Sequence, residues 1–256
     1  MKKVILLTLA AFAFTLNGGA QVFNHLSIGV GTGLDGTGIE VASTLGEHFQ
    51  IRAGYNTAFG IGYTINNAFS VPVHPGVENG AKQAVPLKVC LGRNDGKLIF
   101  NYYPSAKKKF YIAAGFYLGE GTFAKGIAMN LPSDYNTMGF EAGDYAVKAF
   151  DSKIEMQARA YGFSAAPFAV KPYLGVGWGR PFNEDKRVTF AFDLGVQYQG
   201  KVALYAMGES VTGRKEMVDV SNSAFIKEMM GGDLEKYGKY AMFWPTLSFH
   251  VYVKLF

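Results

Sequence analysis

Cysteine, long apolar runs and unbalanced charge are all scarce in this 256-residue sequence. Its one cysteine, Cys90, cannot form an internal disulfide, so the fold must be stabilised by other means. After residue 20 no apolar run approaches the roughly eighteen residues of a helical membrane span, which excludes such spans. The formal net charge falls from +5 to +3 when Lys2 and Lys3 are left out, too small an excess to indicate a nucleic-acid partner.

Residues that would indicate a metal or a cofactor are also few. The four histidines, His25, His48, His74 and His250, are scattered without the spacing of metal ligands. Residues 31–36 match the letters of a dinucleotide fingerprint, but an alternating strand follows them where the phosphates would need a helix N-terminus. We therefore predict no metal and no cofactor.

The first twenty residues indicate export. Lys2 and Lys3 precede an apolar run over residues 4–16 that is too short to span a bilayer, and small residues lead up to Ala20. This pattern predicts a secretory signal peptide over residues 1–20, cleaved after Ala20. The remaining residues, 21–256, show no repeat or low-complexity linker, so we expect them to form a single domain.

Apolar and polar residues alternate with period two in many segments, which predicts strands with one apolar and one polar face. Abundant glycine, phenylalanine and tyrosine also favour sheet and tight turns, at 32, 21 and 15 residues respectively. We predict about ten strands of roughly ten residues, and leave eight or twelve open. The predicted strands are residues 25–31, 39–45, 49–56, 85–103, 110–117, 154–161, 173–178, 188–197, 202–206 and 247–255.

One of these segments, residues 85–103, changes the phase of its apolar row between Asn94 and Lys97. Either a bulge or a tight hairpin would explain the change, and Asp95-Gly96 is a good turn dipeptide. We favour one long bulged strand, because the number of strands is then even.

Strands with an apolar outer face can cross a membrane only as a closed barrel, since closure satisfies every backbone polar group. The opposite, polar face would then line the lumen. Paired charges that plug a narrow lumen and a narrow polar channel are both compatible with this face, and we favour the plug. The predicted lumen-facing charges are Glu40, Arg52, Lys88, Glu155, Arg159, Asp193 and Lys254.

The connections between the predicted strands are strongly unequal in length, as in membrane barrels. Three long ones, residues 59–83, 119–150 and 208–243, fall on one side, and the third is expected to contain a short helix near residues 223–230 or 233–238. Four short ones fall on the other side, at residues 46–48, 104–109, 162–167 and 199–200. Aromatic residues near strand ends suit interfacial girdles, namely Tyr102, Tyr103, Trp178, Tyr198 and Trp244.

Several segments resemble the outer-membrane β-barrel superfamily of Gram-negative bacteria, which includes small OmpA-like and porin-like proteins. They are the signal peptide, residues 47–55, 171–179 and 192–196, and the terminal Phe256. The resemblance implies an all-β fold, a single transmembrane antiparallel up-and-down barrel in the outer membrane. It also implies contact with outer-membrane lipid and lipopolysaccharide, and insertion by the outer-membrane assembly machinery, for which Phe256 would be the signal. The sequence contains no peptidoglycan-binding domain, so a wall-anchoring role is not implied.

Three functions remain open at this point. We favour a non-enzymatic barrel with a structural role in the envelope or with narrow passive passage of small polar solutes. The alternative is a protein whose long loops bind a ligand or mediate adhesion. The third is a membrane-embedded hydrolase, for which His250 on the inner face is the candidate, although a lone interior histidine is more often a hydrogen-bonded filler. A secreted β-sandwich is the rival fold, disfavoured because its outer faces should be polar.

Overall fold

The computed structural model describes residues 25–58, 61–74, 77, 80–182, 186–210, 212–223, 226–227 and 241–255. The predicted signal peptide and Phe256 lie outside these residues. The described part contains a 3₁₀ helix, Ser133–Asn136, and sixteen strands. The strands are β1 (Leu26–Gly33), β2 (Gly36–Thr44), β3 (Phe49–Thr57), β4 (Ile61–Pro72), β5 (Lys82–Leu91), β6 (Asn94–Tyr102), β7 (Phe110–Glu120), β8 (Thr122–Ala128), β9 (Phe140–Ala142), β10 (Tyr145–Val147), β11 (Ile154–Arg159), β12 (Phe168–Gly179), β13 (Val188–Tyr198), β14 (Ala203–Ser210), β15 (Lys215–Asp219) and β16 (Phe243–Lys254).

Eight of the strands form a closed antiparallel barrel. Its order is β1-β2-β3-β6-β7-β12-β13-β16, which is also the order along the chain, and β16 closes the barrel by pairing with β1. Closure leaves no free edge in this sheet. We call the end with the three long connections the upper end and the opposite end, with the short connections, the lower end.

The three long connections do not form loops but a second sheet. Its main strands follow the order β4-β5-β8-β11-β14, with β15 pairing with β14, and the β9–β10 hairpin joins β14. With β15 placed after β14, this order matches that of the barrel strands β3-β6-β7-β12-β13-β16, because each of the six strands is next along the chain, among these main strands, to its barrel counterpart. The second sheet therefore continues the barrel wall upwards on one side. Above β1 and β2, which are joined by a two-residue turn, the wall is not continued.

Side chains alternate strictly between the inside and the outside of the barrel. In β13, for example, Thr189, Ala191, Asp193 and Gln197 are buried inside. The outward side chains form an exposed apolar belt contributed by all eight strands. Its members include Ile28, Val30, Ile39, Phe49, Tyr55, Phe100, Phe110, Ile112, Phe116, Leu174, Val176, Trp178, Phe190, Leu194, Val196, Phe249, Val251 and Val253.

The second sheet has the opposite polarity, with its apolar face turned inwards. Buried residues from its strands pack with residues from the segments between them, on the half of the sheet far from the barrel. This apolar core comprises Val71, Val85, Ala128, Leu131, Tyr135, Val147, Ala149, Ile154, Ala206, Val220 and Ile226. The 3₁₀ helix contributes Tyr135 to it.

The favoured number of barrel strands, ten, is therefore corrected to eight, one of the two alternatives that the sequence left open. Two predicted membrane strands, residues 154–161 and 202–206, belong to the second sheet as β11 and β14. The predicted bulged strand 85–103 is two strands, β5 above and β6 in the barrel, separated by Gly92 and Arg93. In both strands the odd-numbered side chains are the more buried, so the side-chain direction continues unchanged from β5 to β6. The apolar residues move from odd to even positions because the apolar face of β5 is the inner one and that of β6 is the outer one.

The predicted connections are partly confirmed. The three long ones lie at one end, but residues 162–167 and 199–200 also lie at that upper end, where the Gly162 N–H donates to the Gln199 carbonyl. The short lower connections join β2 to β3, β6 to β7, and β12 to β13. The predicted helix near residues 223–238 lies outside the described residues except Ser223, Ile226 and Lys227. No helix in the described part of the chain is long and apolar enough to cross a membrane.

Candidate functional site

The inside of the barrel is filled by charged side chains that neutralise one another. Among the described residues, the buried acids number four and the buried lysines and arginines also number four. The acids are Asp35, Glu40, Asp95 and Asp193, and the bases are Arg52, Arg93, Lys97 and Lys171. Buried charges require partners, because an unpaired ion away from water is costly. We call these eight residues, with His250, the lumen network.

Arg52 on β3 stands at the centre of the lumen network. Its guanidinium donates to both carboxylate oxygens of Asp193 on β13, at 2.7 and 3.0 Å. Its Nη1 also lies 3.7 Å from Glu40 Oε1, while Lys97 Nζ lies 2.5 Å from Glu40 Oε2. The bidentate geometry matches the fork of the guanidinium to the carboxylate. These contacts connect β2, β3, β6 and β13 across the lumen.

His250 on β16 lies between the two central carboxylates. Its Nε2 is 3.0 Å from Asp193 Oδ2 and its Nδ1 is 3.4 Å from Glu40 Oε1. Two tyrosine hydroxyls complete this layer, Tyr111 donating to Asp193 at 2.7 Å and Tyr252 donating to Glu40. Both ring nitrogens of His250 thus face acids.

A second layer lies nearer the upper end. Asp35, in the turn between β1 and β2, points into the barrel and accepts hydrogen bonds from Asn56 at 2.6 Å, Tyr117 at 2.9 Å and Ser248 at 2.7 Å. Three elements distant in the chain are therefore fastened to this turn, which covers part of the lumen from above.

Asp95 forms the other half of the upper layer. It receives hydrogen bonds from Arg93, at 2.9 and 3.0 Å, and from Lys171, at 3.0 Å. Arg93 also donates to Gln197 Oε1 at 2.5 Å and lies over the Trp244 ring, 5.3 Å from its centroid. This ion-pair cluster connects β6, β12 and β13 across the upper part of the lumen.

Tyr103 lies buried inside the barrel at its lower end. Its hydroxyl donates to Gln50 Oε1 at 2.8 Å and to the Gly179 carbonyl at 3.1 Å, and Arg180 lies over its ring at 4.2 Å. Three layers of polar side chains therefore cross the lumen from its lower to its upper end.

Inward-facing glycines make room for the large side chains of these layers. A Cβ on Gly31 would stand 2.3 Å from the His250 ring, and one on Gly177 would stand 2.3 Å from the Tyr111 ring. Both distances are well inside van der Waals contact. The glycine-rich run at residues 175–179 is therefore a packing feature of the barrel wall.

The structure brings together three of the seven predicted lumen charges, Glu40, Arg52 and Asp193. Lys254 faces the lower rim, half-buried, with its Nζ 5.1 Å from the Phe182 ring centroid. Lys88, Glu155 and Arg159 are corrections to the prediction. They lie on the second sheet, because their strands, β5 and β11, are not barrel strands.

Sequence reasoning missed Asp35, Arg93, Asp95, Lys97 and Lys171. Residues 93–97 fell in the segment interpreted as a bulge, and Lys171 preceded the predicted strand. Alternation alone could have found two of them, since Asp95 and Lys97 oppose the outward row of Leu98 and Phe100. Nothing in the sequence indicates that the turn residue Asp35 folds inwards.

The predicted aromatic girdle is only partly on the outer surface. Tyr102 and Trp178 are exposed on the belt, and Tyr198 is half-buried beside Phe243 and Phe163. Tyr103 and Trp244 instead point inwards, since they share the parity of the lumen side chains. Trp244 packs on Arg93, so its ring lies beside the upper layer of the lumen network.

The lumen network does not pair His250 with the nearest serine of its own strand. His250 contacts carboxylates, and the Ser248 hydroxyl donates to Asp35 rather than to His250. Activation of a serine needs a base within hydrogen-bond reach of its hydroxyl. In addition, the described residues contain no group of three or more His, Cys, Asp or Glu side chains arranged to hold a metal ion.

A second feature lies on the inner face of the second sheet, on the half nearest the barrel. A cavity of about 360 Å³ crosses the five strands β4, β5, β8, β11 and β14. We call it the wall groove. Its lining residues are Ile65, Ala68, Phe69, Leu87, Val89, Ala124, Lys125, Gly126, Met156, Gln157, Ala158 and Leu204.

The chain thus forms an eight-stranded antiparallel barrel with an apolar exterior and a self-neutralised interior. No known family model matches the chain, and no curated protein matches it. Solved structures similar to it include Acinetobacter baumannii CarO2, with 13% identity, a TM-score of 0.48, and coverage of 90% of this chain and 98% of that one.

Two further solved structures are similar at a comparable level. Acinetobacter baumannii CarO has 16% identity and a TM-score of 0.41, with 89% of this chain and 96% of that one covered. A major outer membrane protein from Thermus thermophilus has 14% identity and a TM-score of 0.44, with 90% and 99% covered. Similarity this distant says nothing about function, which has to be argued from the residues of this chain.

Proposed function

We propose that this protein is an integral outer-membrane β-barrel with a closed lumen and a non-enzymatic role. The observation that carries the proposal is the apolar belt, to which all eight barrel strands contribute exposed side chains. Soluble proteins rarely expose so large a continuous apolar surface, whereas a membrane barrel requires one. In this proposal residues 1–20 are removed on export. The assembly machinery then inserts the barrel among outer-membrane lipid and lipopolysaccharide.

The second sheet supports the proposal through its reversed polarity. Between β5 and β6 the apolar side chains change from the inner to the outer face, while the side-chain direction continues unchanged. Such a reversal follows if β6 faces lipid outside and β5 faces water outside. We therefore place the membrane boundary near Gly92 and Arg93, with the second sheet beyond the membrane surface.

The two tryptophans of the chain give a direct test of this placement. Trp178 is 58% exposed on the belt, while Trp244 points inwards against Arg93. We expect lipids brominated on their chains to quench Trp178 strongly in the Trp244→Phe variant. They should quench Trp244 weakly in the Trp178→Phe variant. Equal quenching of the two, in refolded protein in vesicles, would contradict the proposed membrane barrel.

The closed lumen argues against passive passage of solutes. Three layers of hydrogen-bonded side chains cross it, and in each a charged side chain is held by at least one partner. We expect the refolded protein to be silent in planar-bilayer recordings after its insertion has been verified by Trp178 quenching. Steady current steps from the unaltered chain would mean that the layers separate, and would restore the solute-passage hypothesis.

The alternative function, ligand binding or adhesion beyond the membrane, is favoured by a specific observation. The three long connections are folded into one sheet with its own apolar core instead of remaining separate loops. Such a sheet is a rigid platform of the kind on which binding sites are built. Deleting residues 140–147, the β9–β10 hairpin, tests whether this platform is needed for any binding that cells expressing the protein show.

A further inference from the structure

We propose that the wall groove binds a single-chain fatty acid, with the hydrocarbon chain along the inner face of the second sheet and the carboxylate at the edge of β4. This inference goes beyond the proposed function and depends on it only for the source of the ligand, the surrounding membrane. The argument rests on the composition, shape and position of the groove.

The lining of the wall groove suits a hydrocarbon. Ten of its twelve residues are apolar or glycine, and Lys125 and Gln157 are the remaining two. Small residues stand at Ala124, Gly126 and Ala158, in the middle strands β8 and β11. Their small size leaves space that larger residues would fill, as a Cβ on Gly126 would already lie 3.3 Å from Leu87 Cδ1. Volumes of this order are usual for small-molecule sites.

The shape of the groove indicates one extended chain. Five neighbouring strands spaced at about 4.8 Å span about 19 Å, so the cavity of about 360 Å³ is elongated across the sheet. An elongated cavity of this volume suits one extended polymethylene chain better than a compact ring system.

The open end of the groove lies next to the proposed membrane surface. β4 is an edge strand, pairing only with β5 in the described part of the chain, and it stands above β3. Beside it the wall is missing above β1 and β2. Leu34 is exposed at the tip of that hairpin, so the apolar belt extends to the place where the wall is missing. A lipid chain can thus pass from the belt to the groove without crossing a polar wall.

The edge of β4 offers partners for a carboxylate. Lys88 is exposed on the outer face of β5, opposite Thr64 on β4, whereas its neighbours Leu87 and Val89 line the groove, and it makes no ion pair with any described residue. Its Cε is 3.6 Å from the position of a Cβ on Gly62, so the side chain lies along the outer face of β4 and can meet a carboxylate only beyond the edge of that strand. Asn66 and Asn67 interrupt the pairing of β4 at the same place and are exposed. Their amide N–H groups can donate to the ligand.

The test is protection of an engineered thiol in the refolded full chain, held in lipid nanodiscs. In a Cys90→Ser background, Ala158→Cys puts a thiol in the groove, and Glu155→Cys puts one on the outer face of the same strand as a control. At dodecanoate ten times above its Kd, maleimide labelling at position 158 should slow by about tenfold. Labelling at position 155 should be unchanged.

Two further measurements test where the ligand binds and whether its head group must be a carboxylate. Adding Ala124→Leu to the position-158 variant should remove the protection, because leucine fills the groove. Dodecyltrimethylammonium should protect far less than dodecanoate, and Lys88→Gln should reduce that difference. No protection at position 158, equal slowing at positions 155 and 158, or equal protection by both amphiphiles would overturn the proposal. Trp178 quenching, measured separately, shows whether the barrel has inserted, so failure of binding and failure of insertion are distinguishable.

Discussion

Replacing Arg52 by methionine should destabilise the barrel by about 3–5 kcal/mol, because the change leaves buried carboxylates without their main cation. Asp193 would lose its bidentate partner, and Glu40 would keep Lys97, His250 and the Tyr252 hydroxyl nearby. The free energy of unfolding, from urea titrations of the protein refolded in lipid vesicles, measures the loss. Methionine retains much of the side-chain volume, so the effect reports on charge rather than on a cavity.

A surface ion pair provides the matched control for Arg52. Arg214 pairs with Glu216 at 3.0 Å, but its side chain is largely exposed. Arg214→Met should therefore change the unfolding free energy by less than about 1 kcal/mol. Adding Asp193→Asn to Arg52→Met should restore part of the stability, since it removes the orphaned charge. If Arg52→Met cost no more than Arg214→Met, the lumen network would not stabilise the barrel.

Placing an arginine on the apolar belt should cost about 2–4 kcal/mol when the site is at the middle of the bilayer. Leu174 is suitable, because it is 65% exposed and stands midway along the outward row of β12. In water the same change would be nearly neutral, as an exposed leucine has few contacts to lose. The unfolding free energy of Leu174→Arg in vesicles therefore measures whether lipid surrounds this position.

Glu155→Arg is the control for Leu174→Arg. Glu155 is exposed on the second sheet, which the proposal places in water. An arginine there should change the unfolding free energy by only a few tenths of a kcal/mol, as for most surface substitutions. Equal, small effects at both positions would argue that the belt is solvated and that the protein does not span a membrane.

Each segment that alternation predicted as a strand does contain one, but the prediction missed β4, β8, β9, β10 and β15, which lie in the predicted long connections. The sequence was also a poor guide to what surrounds the strands. Alternation shows that one face of a strand is apolar, and β5, β11 and β14 alternate as clearly as the barrel strands do. Whether the apolar face is exposed on the outside or buried on the inside depends on whether the strand belongs to the barrel or to the second sheet. Only the phase change between Val89 and Leu98 carries that information, and it has a simpler local explanation, a bulge.

The lumen network shows the same limit for side chains. Glu40, Arg52 and Asp193 could be predicted because each opposes an apolar row inside a regular strand. Asp35 could not, since its position depends on acceptance of hydrogen bonds from Asn56, Tyr117 and Ser248. These partners come from β3, β7 and β16 and meet only after the barrel has closed. Long-range pairing of this kind leaves no trace in local spacing.

The matching strand order of the barrel and the second sheet has a consequence for assembly. Each long connection leaves the upper end of one barrel strand and returns to the strand that is hydrogen-bonded to it, as between β3 and β6 or between β7 and β12. The backbone hydrogen bonds of the barrel are therefore complete without the long connections. The long connections, in contrast, are brought side by side by the barrel strands that they join. The order of the barrel strands therefore sets the order of the strands above them, and a register error made in the barrel would be repeated in the second sheet.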